Sequence, residues 1–266
     1  MKYVVDHDLH IHSGLSSCSA DPEQNPARIL QYAKDFGLKT VCVTDHFWDE
    51  TVPGASNWYQ PQNYAHIAQN LPLPQAEGIR FLFGCETDMF KDMTVGLAKE
   101  HFDRFDFVII SINHFHMKKE TIPEEYQTTP EKRAEFWAMK LEALLNMDLP
   151  FHKIGLAHLA CHLIAPTREE YLSTLDAIPQ AELDRLFQKA ADLGCGIELN
   201  QSDMNFAQEE ADTVLRIFRT AKKAGCKFYC GSDAHHPAGL GSAPAVFARA
   251  VDLLDLTEED KLLWLK

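Results

Sequence analysis

The sequence has no CxxC pair, no apolar run of membrane length and too few basic residues to balance its acids. Each lack excludes something. Seven cysteines, an odd number scattered from Cys18 to Cys230, do not make the dense framework of small secreted domains, and they give a thiolate zinc knuckle no spacing to build on. Reduced thiols in a cytoplasm are the expectation. The opening MKYVVDHDLHIH has no apolar core of signal-peptide length, and nothing approaches the ~20 apolar residues of a membrane helix, so neither export nor membrane insertion is expected. With 39 acidic against 25 basic side chains the formal net charge is -14, a field that repels polyanions and makes long nucleic acid a poor partner. A small substrate fits better, and a phosphate ester is not excluded, because bound divalent cations reverse the local sign in a cleft. There is also no Ser/Gly linker, low-complexity tract or break in composition, which points to a single domain over 1–266.

What is present is alternation. Short apolar runs at 3–12, 40–44, 80–85, 105–112, 153–158, 196–199 and 227–230 read as seven strands. Helix-period segments fall near 24–37, 60–70, 130–147, 180–193, 208–224 and 242–254. That order predicts an α/β fold, a mostly parallel sheet wrapped by helices. Asn25-Pro26 suits a cap followed by proline at the first helical position, and Gly37 and Gly225 suit helix stops.

The histidines are not spread evenly. His10 and His12 end the first run, Asp45 and His46 the second, Glu86 and Asp88 the third, His114 and His116 the fourth, His158 the fifth, and Asp233 and His235 follow the seventh. In parallel α/β folds these strand ends gather at one mouth, where the chemistry sits. Alternate residues of a strand share a face, so Asp8, His10 and His12 are expected to project together, with His7 on the other side. Imidazole with carboxylate suits zinc, manganese or iron, and a bridging carboxylate holds two ions near one water. A lone HxH is usually two ordinary histidines; a series at successive strand ends is a metal centre. His66, His101 and His152 lack this placement and read as surface or helix-end residues.

With DLHIHSGLSS at 8–17, VTDHF at 43–47, GCETD at 84–88, SINHFH at 111–116, GLAHL at 155–159 and GSDAHH at 231–236, the chain resembles the PHP (polymerase and histidinol phosphatase) family, in its stand-alone histidinol-phosphatase-like branch. The resemblance implies a distorted (β/α)7 barrel, TIM-barrel-like, in agreement with the seven strands counted independently. It implies two to three divalent transition metal ions (Zn, Mn or Fe): one held by His10, His12, Glu86 and Asp233, a second by Glu86 with His114 and His158, a third by His46 and His235. Glu86, Asp233 and His235 would carry the catalysis. Two places depart from the family's pattern. Cys18 stands where an Asp or His is usual, leaving the third ion thiolate-bound, weak or absent. Ser111-Ile112-Asn113-His114 replaces a shorter Ser-x-His, which makes His114 the preferred ligand and His116 a substrate contact or substitute ligand.

The implied activity is hydrolysis of a small phosphate monoester by a metal-bridged hydroxide, since such a centre neutralises phosphoryl charge and supplies a nucleophile at neutral pH. Arg168 lies where that branch places a phosphate-binding arginine, and also reads as an exposed helix-start residue. Asn200, closing the sixth strand, is expected to face the mouth, with Glu198 as a deeper structural partner, and His162 and His236 are candidates to protonate a leaving alkoxide. The rival readings are a phosphodiesterase or exonuclease on nucleotides, a metal-dependent amidohydrolase, which would need a bridging lysine carboxylate, and a non-catalytic metal-binding module. Substrate identity and oligomeric state carry no signal in the sequence.

Overall fold

The computed structural model describes residues 1–19, 21–262 and 264. The seven apolar runs become seven parallel strands paired in sequence order: β1 (His7–Ile11), β2 (Thr40–His46), β3 (Arg80–Asp88), β4 (Phe107–Ser111), β5 (Ile154–Leu156), β6 (Gly196–Asn200) and β7 (Lys227–Gly231). The helices are α1 (Pro26–Phe36), α2 (Tyr64–Ile67), α3 (Pro130–Leu145), α4 (Arg168–Ala177), α5 (Gln180–Leu193), α6 (Ala211–Lys223) and α7 (Pro237–Leu253). Strands covered by helices are buried on both faces, which is why they read as apolar runs rather than alternations. The amphipathic α6 shows the packing: Val214, Leu215, Ile217, Phe218 and Ala221 are buried, while its charged residues face out.

Local chemistry sets the helix boundaries. Asn25 caps α1 by accepting the Arg28 N–H at 3.1 Å, Pro26 fills the first helical position, and Gly37 stops the helix at φ 67°. Thr129 and Thr167 cap α3 and α4 in the same way. Two helices differ from the sequence expectation. The segment carrying α4 gave no helical period, because Tyr171, Thr174 and Leu175 are the only residues that it buries. In α7, Gly239, Gly241 and Pro244 hide the period, yet the helix starts at Pro237, before the expected 242.

Inside the ring of strands, Leu9, Cys42, Phe107, Ile109, Ala157 and Tyr229 form an apolar plug separate from the outer core. Glycine makes room for it: a Cβ on Gly155 would stand 2.4 Å from the Tyr229 hydroxyl and 2.7 Å from the Phe107 ring. With its bottom filled, the barrel is a packed core with one open mouth.

The ring closes between β1 and β7 without a regular ladder. The His10 carbonyl accepts the Asp233 N–H at 2.7 Å and the His12 N–H reaches the Ala234 carbonyl at 3.2 Å. Elsewhere side chains of β1 do the joining, with His7 Nε2 accepting the Cys230 N–H at 3.0 Å and Asp8 Oδ1 accepting the Ser232 N–H at 2.9 Å. This corrects one expectation. Asp8 does not project beside His10 and His12, because β1 breaks register between Asp8 and Ile11 and the carboxylate turns to the seam and the Tyr32 hydroxyl. The fold is nevertheless the expected distorted (β/α)7 barrel, and the seam brings Asp233 beside the two histidines.

Gly231 sits at that seam. A Cβ there would stand 1.9 Å from Glu198 Oε1 and 2.7 Å from the His10 Cβ, so both must move to admit it. Gly231→Ala is expected to cost ~1–3 kcal/mol in denaturant unfolding. An unchanged midpoint contradicts the tight seam.

Candidate metal centre

The mouth gathers ligand-type side chains from six of the seven strand ends. His10 lies on β1 and His12 just beyond it, His46 ends β2, and Glu86 is near the end of β3. His114, His158 and Asp233 follow β4, β5 and β7 by two or three residues, and His235 comes next. His158 and Asp233 hold left-handed backbones, φ 27° and 54°, a strain of order 1–3 kcal/mol each that the surroundings must over-determine. They do: the Glu198 carboxylate takes the His158 N–H at 2.6 Å, and the Asp233 N–H is held by the barrel seam.

These residues form three overlapping groups: His10, His12, Glu86 and Asp233; Glu86, His114 and His158; His12, His46 and His235. In each group one ligand atom per residue lies within 4.8 Å of the others. Glu86 and His12 each belong to two groups.

Every ring but one is clamped from behind. Nδ1 of His10 meets Glu198 Oε1 at 2.7 Å, that of His12 meets Ser16 Oγ at 2.9 Å, and that of His158 meets Asn113 Oδ1 at 3.1 Å. His114 Nδ1 meets both Asp88 oxygens at 3.1 Å, and His235 Nδ1 meets the Asp233 carbonyl at 2.8 Å. Such clamps fix the ring and turn Nε2 inward, the arrangement usual behind metal-bound histidine. His46 is the exception and presents Nδ1, 3.1 Å from Glu86 Oε2.

That last pair is the test of whether the donors fit an ion. His46 Nδ1 and Glu86 Oε2 are both buried without a hydrogen-bond partner, which is costly unless a cation stands between such atoms. His10 and His12 also bring their Nε2 atoms to 3.2 Å, where two lone pairs repel unless a proton or cation intervenes. Without ions protons take that place: against the pull of burial, the Asp233 hydrogen bond and the charges of Asp233 and Glu86 raise His12 to about 9, and Glu86 raises His158 to about 9. Despite burial, His46 and His10 hold Glu86, and His10 and His12 hold Asp233, well below the carboxylate range. Burial pulls His46 down to about 3, and burial with His12 pulls His235 down to about 4, leaving both neutral and ready to ligate. Imidazoles and carboxylates in this number fit divalent transition metals.

A cavity of about 760 Å³ opens over the centre, lined by His46, Glu86, Asp233 and His235 at its floor and by Cys18, Trp58, His116, Met117, Glu120 and Leu163 on its walls. Cys18 is on this wall but outside the three groups. Arg168 starts α4, paired in bidentate fashion with Glu210, and does not line the cavity. Asn200 is buried, with Oδ1 taking the Ser202 N–H at 2.8 Å, and His162 and His236 also lie outside the lining. Glu198 is the structural partner expected of it.

Three supports had no such role assigned from the sequence, although Asp88 was placed at the end of the third run. Asp88 holds His114 and the Tyr59 hydroxyl, Asn113 holds His158, and Ser16 holds His12 and the His46 N–H. Their signal was adjacency to the motifs. A fourth, Lys140, had none: from α3 its buried Nζ lies over the Phe115 and Phe136 rings and donates to the Thr121 carbonyl at 3.3 Å. Thr121 Oγ1 in turn donates to the His114 carbonyl at 2.6 Å.

Glu198→Ala, which frees the His10 ring and the His158 N–H, is expected to weaken metal binding ~10–100-fold in competition with a chelator. Unchanged affinity would show that the clamp is idle. Burial lowers Lys140 to about 7. The unfolded chain therefore binds the extra proton between about pH 7 and about pH 10, and stability attributable to this group rises with pH across that window. Lys140→Met should flatten that rise when unfolding midpoints are compared across it; an equal slope in both proteins refutes the lowered pKa of the buried amine.

Comparison with known proteins places the fold and the family. A curated protein of Acetivibrio thermocellus named probable phosphatase is 24% identical over 249 residues, 93% of this chain and 86% of its own length. A probable phosphatase of Clostridium botulinum is 23% identical over 272 residues, covering 99% and 94%. Among solved structures, histidinol phosphate phosphatase from Lactococcus lactis subsp. lactis, complexed with zinc, L-histidinol and phosphate, has the same fold at TM-score 0.66 and 18% identity, over 93% of this chain and 94% of that one. A family model described as PHP domain matches residues 8–224, most of the barrel. The chain belongs to the PHP domain family.

Proposed function

We propose that the protein is a metal-dependent phosphoric ester hydrolase acting on a small phosphate monoester, with two to three divalent ions in the three ligand groups. The observation that carries this reading is that Glu86 belongs to two of the groups, so that the two oxygens of one carboxylate can serve neighbouring ion positions over one cavity. Bound there, zinc, manganese or iron would supply Lewis acidity and a water acidified toward ~7.

The chain's own residues supply the rest. His10, His12, Glu86 and Asp233 would hold one position, Glu86 with His114 and His158 the second, and His46 and His235 the third. Asp233 stays ionised, because the surrounding histidines hold it far below the carboxylate range, and it balances positive charge at the cavity floor. His235, neutral near pH 7, turns its unclamped Nε2 away from the Asp233 carbonyl, available to a ligand or a proton. His116 lines the wall above His114, held down to about 4 by burial and that neighbour, so it meets substrate as a neutral imidazole.

The walls speak to the substrate. Among the described residues no Lys or Arg lines the cavity, so a single phosphate would be bound by its floor. Trp58, Met117 and Leu163 offer an apolar surface to the leaving group, and the Glu120 carboxylate on the same wall suits an ammonium. An amino-alcohol phosphate meets both demands. The histidinol phosphatase of L. lactis and the probable phosphatases support this class. The missing wall cations count against polynucleotides and against nucleotides with several phosphates.

Metal-loaded protein is expected to turn over p-nitrophenyl phosphate and to prefer amino-alcohol phosphates to sugar bisphosphates, with activity lost on chelation and restored by adding metal. His12→Ala and Asp233→Ala should each lower kcat/KM ~10²-fold or more. A fully metallated protein inert across a broad phosphate-ester panel would remove the enzyme reading.

A further inference from the structure

Lys140 is a costly residue for its place. It is fully buried on α3, and its amine meets the Thr121 carbonyl at 3.3 Å and the faces of the Phe115 and Phe136 rings. Burial lowers the amine to about 7, and the Asp88 charge opposes the fall. A methionine would fill such a space without taking an amine out of water, so the amine calls for an explanation beyond packing.

What the amine holds is one end of the segment 114–121. Thr121 is buried, and its hydroxyl lies 2.6 Å from the His114 carbonyl and 2.9 Å from that of Met117. The N–H groups of Glu120 and Thr121 both reach the Met117 carbonyl at 3.0 Å, and the Met117 N–H reaches that of His114 at 3.0 Å. The segment is a knot of its own backbone bonds with Thr121 at the crossing, and Lys140 ties that crossing to α3. Two parts of the mouth ride on it. His114 belongs to a ligand group with Glu86 and His158, and His116, Met117 and Glu120 stand on the cavity wall. A second line runs through charge, since Asp88, which acts on the Lys140 amine, is the carboxylate that clamps the His114 ring.

We propose that Lys140 is a positioning residue of the mouth: through Thr121 it fixes the 114–121 segment, and with it both the His114 ligand and the wall that receives the leaving group. Its effect on turnover rests on the metal-dependent phosphatase reading, whereas its effect on the segment rests on the geometry alone. Lys140 touches neither ion nor substrate. It acts at one remove, and a shift of the segment by a fraction of an ångström moves a ligand and the substrate wall together. A single buried amine on the outer ring of helices thus couples ion binding to leaving-group recognition.

The test compares the full chain with Lys140→Met in three ways. In metal-free protein, hydrogen exchange of the 114–121 amides should run ~10-fold or more faster in the variant, with the strand amides unchanged. In zinc-loaded protein, a chelator should remove the most weakly held ion ~10-fold more easily. The KM for an amino-alcohol phosphate should rise ~10-fold while kcat at saturating metal changes less than ~3-fold, a split that a residue serving only the core would not produce. Thr121→Val should copy these effects, Thr121→Ser should retain wild-type values, and the double variant Lys140→Met with Thr121→Val should be no worse than the worse single one, because both act in one chain of contacts. Should Lys140→Met fail to fold, the two Thr121 variants decide by the same readouts. Wild-type exchange in 114–121 together with wild-type chelator resistance overturns the proposal, as do effects of the two substitutions that simply add. A wild-type protein without phosphatase activity removes the proposed function instead, and the exchange and chelator measurements still judge the role of Lys140.

Discussion

The carboxylate of Glu86 is the point on which the rest of the structure turns. It is buried and faces four imidazoles, with His158 Nε2 at 3.0 Å, His46 Nδ1 at 3.1 Å and the Nε2 atoms of His10 and His12 at 3.3 Å. So many polar groups converging away from water are unstable as a neutral cluster and need positive charge, as protons or as metal ions. The fold provides the constraint that keeps them there. Parallel strands in sequence order bring their ends to one mouth, and the filled barrel bottom prevents the ring from relaxing inward.

The cost of assembling the centre is spread over the scaffold around it. Glu198 holds the His10 ring and the His158 backbone together, and it occupies the space that Gly231 leaves open. The seam between β1 and β7 depends on side chains of His7 and Asp8, and that same seam sets the left-handed turn at Asp233. Ligand geometry and barrel closure are one set of bonds here. Bound metal is therefore expected to act as a strut of the fold as well as a reagent, because ions that bind only the folded state stabilise it.

Much of this was legible in the sequence, for particular reasons. The seven strands were readable because doubly buried strands are continuous apolar runs, and the ligand-type side chains of the mouth because they cluster just after those runs. Asp8 was misplaced, since a register break in β1 leaves no trace in an alternating pattern. Asp45 shared the motif position of a ligand but is spent on Ser13, Ser16 and Asn70, partners known only from the folded loop. The clamps Asp88, Asn113 and Ser16 are polar residues of ordinary kind whose roles depend on which ring nitrogen they meet. Lys140 acts from a helix far from any motif, and α4 and α7 were obscured by weak amphipathy and by glycine and proline.

Anomalous scattering from a crystal of the metal-loaded protein tests the central claim most directly. The account predicts ion peaks on both sides of the Glu86 carboxylate, separated by ~3.5–4 Å as in shared two-metal sites. A single ion bound without Glu86, or no ion at the barrel mouth in fully metallated protein, would contradict it.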